Sequence, residues 1–290
     1  MRIVFLHDGT FEGFCTAVFE AYARRPAPDA INETGCQQEF GAQYIEILCD
    51  DAKAERVING IIRRADSLAY EKIWTAFLSD DVQKSQIIYE YIRLAMQQGN
   101  RVHAMLYDDR VKRLEKLANL VGRESGLLLE FIRFSKLEGG VWYSRIDPQY
   151  PVLPILTPHF ADRFNVQPFI IHDVTHGEAA VYDTRSWKIV GDDEMTLPSL
   201  APEEREFRHL WKVFYDAIAI RQKINPRLRM SHMPKKYWRN LTELQPEPAE
   251  YFRENKTAPS PQNKTDKALP VIELTGQENE VGIRPPMREV

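Results

Sequence analysis

The stretch LLLEFIRFSKLEGGVWYSRID, residues 127–147, decides the fold class. Aromatic and β-branched residues flank the Gly139-Gly140 pair, which predicts a hairpin turning at the two glycines. The chain differs in kind on either side. Before it, apolar residues recur every three to four positions, the period of a helix. After it, short apolar runs alternate with turn residues. The expectation is therefore α+β, with a helical first half and a small antiparallel sheet in the second. A doubly wound α/β arrangement fits less well, because strands do not alternate with helices throughout.

Toward the N-terminus, DDAKAERVINGIIRRA (50–65) marks one face with Val57/Ile58 and Ile61/Ile62. EKIWTAFL (71–78), SQIIYEYIRLAMQQG (85–99) and RVKRLEKLANLVG (110–122) repeat the period, with Gly99 and Gly122 as expected stops. Ahead of them, RIVFL (2–6) and AQYIEILCD (42–50) read as short strands. Asp8-Gly9 turns the chain, and Thr10 can cap a helix running to about Arg25.

Toward the C-terminus, PVLPILTPHFADRF (151–164) predicts a short helix bounded by prolines. PFIIHDVTHGEAAVYDTRSWKIV (168–190) predicts three strands with turns at His176-Gly177 and Asp183-Thr184. PEEREFRHLWKVFYDAIAIRQKI (202–224) predicts a helix whose inward face is Phe207, Leu210, Trp211, Phe214 and Ile218, with Arg205, Arg208 and Lys212 opposite. From about Pro246 the composition turns to proline, Gln, Asn, Lys and Glu, that of a disordered tail. Residues 1–245 are accordingly expected as one domain and 246–290 as a tail.

Composition narrows the function classes. With 43% hydrophobic residues, the 290-residue chain can bury a sizeable core. Its three cysteines are widely spaced, which disfavours a disulfide framework and points to a reducing cytoplasm. The opening IVFL run is too short for a secretory segment, and no stretch approaches the roughly 18 apolar residues of a membrane helix, so no membrane partner is expected.

The net charge of -4 hides a partition. Residues 1–207 hold 23 Lys and Arg against 32 Asp and Glu, whereas 208–239 hold 9 against 1. Within that block RLRMSHMPKKYWRN (227–240) places a Tyr-Trp pair among cations and contains no acid. Backbone-tracking nucleic-acid binders combine positive charge with rings on which bases stack. The expected phosphate contacts are Arg208, Lys212, Arg221, Lys223, Arg227, Arg229, Lys235, Lys236 and Arg239, with Tyr237 as the stacking ring and Trp238 as a core anchor. The alternative is a solvated helix face that balances the acidic remainder.

Other motifs carry less. FLHDGTFEGF (5–14) puts glycines between a strand and a helix. It lacks the Gly-Lys-Ser/Thr of a phosphate loop, and Asp8 and Glu12 would repel an anion there. A turn and cap is the better reading. His159, His172 and Asp173 are the candidate acid/base set, since a His beside an Asp can move protons. The four-residue spacing of His172 and His176 does not converge on a strand as it would on a helix. No HExxH, paired CxxC, nucleophile elbow or three-cysteine radical-SAM cluster occurs, so no cofactor or metal is expected.

DGTFEGFCTAVFEAY (8–22), LPILTPHFADRF (153–164), FIIHDV (169–174) and MPKKYWRNLTE (233–243) together resemble a prokaryotic family described as DNA metabolism or repair proteins. The family is built on a domain of unknown function. It is encoded beside a DNA-repair radical SAM protein and is often fused to a uracil-DNA glycosylase. The resemblance spans about 1–243 and implies a DNA-repair context. Where many members carry His-Arg-Met after Gly122-Arg123-Glu124, this chain has Ser125-Gly126-Leu127-Leu128. The segment after Leu244 is too short and polar for a glycosylase, so base excision is not expected of it. The leading expectation is a DNA-binding accessory protein that presents DNA to a radical SAM partner. A nucleic-acid-processing enzyme using His159, His172 and Asp173, and a protein-interaction module, are the alternatives.

Overall fold

The computed structural model describes residues 2–37, 40–195, 197–220 and 225–245. The expected tail from Pro246 lies outside the described residues. The architecture is mixed α+β. The chain divides into two compact units, with the boundary in sequence between Glu124 and Ser125, inside the helix Asp109–Phe131.

The first unit opens with β1 (Arg2–His7), α1 (Phe11–Ala23), β2 (Ala30–Glu33) and β3 (Ala42–Glu46). These strands form a parallel sheet in the order β2-β1-β3, with Val4 opposite both Ala30 and Tyr44. Parallel neighbours need a crossover, and α1 supplies it between β1 and β2. The turn and cap expected at Asp8–Thr10 is present. Thr10 Oγ1 accepts from the Gly13 N–H at 2.9 Å, while Asp8 Oδ1 accepts from the Thr10 N–H at 3.0 Å and its hydroxyl at 2.6 Å. A Cβ on Gly13 would stand 2.1 Å from that same Asp8 oxygen, so a larger residue there would push the exposed Asp8 carboxylate off Thr10. Four helices follow: α2 (Asp51–Arg64), α3 (Ser67–Phe77), α4 (Lys84–Gln98) and α5 (Asp109–Phe131). Asp50 and Asp66 cap α2 and α3 through their carboxylates, and Gly99, at φ 64°, ends α4 as expected.

The expected stop at Gly122 is absent. α5 runs through Gly122 and Gly126 to Phe131 and takes up residues 127–131 of the 127–147 stretch. Leu114, Leu117 and Val121 are buried before the glycines and Leu128 after them, all at helical spacing. Burial on each side outweighs the roughly 1 kcal/mol each glycine costs relative to alanine.

The second unit contains a five-stranded sheet in the order β4-β5-β6-β7-β8: Ser135–Lys136, Trp142–Ile146, Phe169–Asp173, Glu178–Tyr182 and Trp187–Gly191. The hairpin at Gly139-Gly140 is present, both residues at positive φ, but β4 is only two residues long because α5 has claimed the residues before it. The turns at Gly177 and Thr184 fall where expected. The sheet is antiparallel except between β5 and β6, which pair in parallel. The proline-bounded helix α6 (Leu153–Arg163) is the crossover that makes this pair parallel.

After the sheet come α7 (Glu204–Ile218), α8 (Pro226–His232) and a 3-10 segment over Lys235–Asn240. The expected orientation of α7 is reversed. Glu204 is buried, whereas Phe207, Leu210, Trp211, Phe214 and Ile218 are exposed. The inward side carries an ion pair instead: Arg208 Nε donates to Glu204 Oε1 at 3.1 Å and an Arg208 Nη donates to Ser135 Oγ at 2.6 Å. Glu204 Oε2 also accepts the Lys136 N–H at 2.9 Å. Arg208 is thereby committed to the β4 edge.

Candidate nucleic-acid interface

The basic segment is built on α8 and the 3-10 turn behind it. Asn225 caps α8 by accepting the Leu228 N–H at 3.0 Å, and Pro226 occupies the first turn, where its missing N–H costs nothing. The Trp238 indole N–H donates to the Met233 carbonyl at 3.0 Å and closes the turn back onto α8. Arg229 then lies over the Trp238 ring at 4.8 Å and Lys235 at 5.9 Å. Cations over a tryptophan face are attracted by its quadrupole. Arg227 and Lys236 are exposed beside them, with Lys236 Nζ 4.8 Å from the Tyr237 ring.

Other residues of the predicted set have other duties. Tyr237 is only 3% exposed and packs on Phe131 at 5.5 Å, so it is a core residue and cannot receive a base. The half-buried ring is Trp238, the reverse of the expected assignment. Sequence pattern showed two rings but not which one the 3-10 turn points inward. Arg239 is paired with Asp147, whose carboxylate also accepts from Asn240 at 2.8 Å and lies 3.6 Å from Arg145. Lys212 is half-buried on α7. Arg221 and Lys223 lie outside the described residues.

The candidate acid/base residues do not converge. His172 and Asp173 are successive on β6, so their side chains leave opposite faces of the sheet. His172 Nδ1 meets the Tyr143 hydroxyl at 2.9 Å, and its Nε2 lies 3.5 Å from Asp192. Asp173 is fully buried. It accepts the N–H groups of Thr175 and His176 at 3.0 and 3.2 Å, and binds His176 Nδ1 at 2.7 Å. Burial pushes its carboxyl up, against the opposing pull of those hydrogen bonds. Asp173 thus organises the β6–β7 turn. His176, three residues on, is its partner; the Asp-x-x-His spacing was the signal.

His159 stands on α6, at the wall of a cleft of about 390 Å³ that includes Trp142, Phe134, Arg133 and Arg163. Of these only His159 was a candidate by sequence. His159/Arg163 and Phe160/Phe164 are i,i+4 pairs on one helix, a spacing that could have pointed to the others. Among the described residues, no group of three or more His, Cys, Asp or Glu could hold a metal, and no helix is long and apolar enough to cross a membrane.

A mixed sheet flanked by α6, with a cationic, tryptophan-bearing segment after it, defines an α+β protein. Residues 82–243 match the DUF4130 family, a domain of unknown function, and the chain belongs to that family. The match covers the whole second sheet and the basic segment and leaves β1 to α3 outside it. No curated protein matches the chain.

Proposed function

We propose that the protein is a DNA-binding accessory factor in DNA repair or modification that presents DNA to a partner radical SAM enzyme. The observation that carries the DNA-binding part is the pair Arg229 and Lys235 over the half-buried Trp238, with Arg227 and Lys236 exposed in the same segment. Exposed cations track phosphates, and a ring held among them offers a stacking surface at the same place. The resemblance to DNA metabolism proteins encoded beside a radical SAM protein supports the partner. This reading assigns no proton transfer to His159, His172 and Asp173, since the last two face opposite sides of the sheet.

Each phosphate neutralised releases counterions, so affinity must fall with salt. With about three contacts from this cluster, log K against log salt should fall with a slope of roughly -3 on duplex DNA. Replacing Lys235 and Lys236 together with alanine should flatten that slope by up to about two units without changing sequence preference. Titrations at several salt concentrations measure both. Wild-type protein that binds no DNA even near 50 mM salt would sink the reading.

A further inference from the structure

The cleft beside α6 has a composition that neither the fold nor the basic segment requires. Phe134 forms its back wall, in edge and tilted contacts with Phe160 at 5.3 Å and Phe164 at 4.9 Å. Trp142, at the start of β5, is half-buried in the same wall. Its ring stacks on no other ring, and its indole N–H has no acceptor among the described residues.

Two arginines line the same cleft. Arg163 is exposed and has no acidic partner among the described residues. Arg133 spends one Nη on the carbonyls of Glu130 and Ile132, at 2.9 and 3.2 Å, and the other on Glu243 at 3.0 Å. Its Nε is buried without a partner. His159 shares the Arg163 side of α6, one turn earlier. Glu130 is the single acid in the wall. Aromatic lining, an unstacked indole and an exposed guanidinium without an acidic partner among the described residues suit a flat ring that carries an anion. The volume lies near the lower end of the roughly 300–1,000 Å³ usual for ligand pockets, room for one such group.

We propose that this cleft binds a single unstacked nucleotide, with the base against Trp142 and Phe134 and the phosphate at Arg163. It rests on the DNA-binding reading only for the source of that nucleotide. A base swung out of a strand and a free nucleotide share this chemistry.

The test measures binding of the full chain to deoxyadenosine monophosphate, to the nucleoside deoxyadenosine, to an oligonucleotide with one unpaired base and to its fully paired duplex. Trp142→Ala should weaken the nucleotide and the unpaired-base oligonucleotide by roughly 5- to 150-fold and leave the paired duplex unchanged. Trp142→Phe, which keeps a ring and the fold, should retain most of the affinity. Arg163→Ala should weaken the nucleotide but not the nucleoside. Should DNA bind while Trp142→Ala, Trp142→Phe and Arg163→Ala all leave the nucleotide and the unpaired-base oligonucleotide unaffected, the cleft proposal is overturned and the DNA reading stands. Trp142-dependent binding of the nucleotide with no binding of any DNA would keep the cleft as a free-nucleotide site and remove the DNA reading.

Discussion

His7 ends β1 with its ring fully buried, edge-on to Phe14 at 5.6 Å and tilted against Phe77 at 6.2 Å. The Gly9 N–H donates to Nδ1, so Nε2 carries the proton and donates to Ser85 Oγ at 2.9 Å. Burial lowers its pKa from 6.5 to about 4, although Glu33 and Asp8 pull the other way. The unfolded chain therefore takes up a proton that the folded chain refuses. Stability from this residue is complete above pH 6.5 and is lost as pH falls from there to about 4, by roughly 3 kcal/mol in all. Urea unfolding of wild type and His7→Gln across pH 7 to 4 should show the wild-type advantage shrinking over that window. Parallel curves would mean another group sets the acid limit. From sequence, His7 was only the residue that ended an apolar run. Its burial depends on α1 and α3 folding over β1, which no local pattern announces.

α7 shows at the scale of an element what periodicity can and cannot tell. Its amphipathic spacing and its start are legible in the sequence, yet the helix ends at Ile218, short of the expected 224, and its inward side is not the aromatic one. An aromatic stripe normally marks the buried face. Here two charged groups take that place, because Glu204 satisfies Arg208 and the Lys136 N–H together, and Ser135 completes the guanidinium's contacts. Such a network is invisible until β4 is placed beside the helix. Removing one member leaves a buried charge without its partner, which costs about 3–5 kcal/mol. Glu204→Ala should therefore lower the thermal midpoint severely. Phe207→Ser, at a residue 60% exposed, should change stability by no more than about 0.5 kcal/mol. The opposite ranking of the two variants in a melting experiment would restore the conventional orientation. The same limit holds for α5: its period is legible, but burial on both sides of Gly122 outweighs the stop that a glycine suggests. The strands of the second sheet were more legible, since each lies between turns with a chemical cause.

Across the whole molecule, the partition of charge was the most readable feature, and it was readable because it is a count. Which of those charges face solvent was not. Arg208 is drawn to the β4 edge, Tyr237 to the core and Arg239 to Asp147, leaving a smaller cluster around Trp238. The cleft between α6 and β5 gave still less warning, because its walls come from residues more than thirty positions apart. The Asp147 carboxylate, only 8% exposed and shared by Arg145, Arg239 and Asn240, has a further effect on any polyanion arriving there. Arg239 already holds its counter-anion, and that anion is part of the chain. If Arg239 leaves Asp147 for a phosphate, one ion pair replaces another, and affinity is lost without a matching change in salt dependence. Asp147→Asn would put a mobile ion in place of the fixed one. The protein should then bind DNA more tightly at low salt, with a slope steeper by about one unit. An unchanged slope would show that Arg239 never reaches the phosphates, with or without its tether.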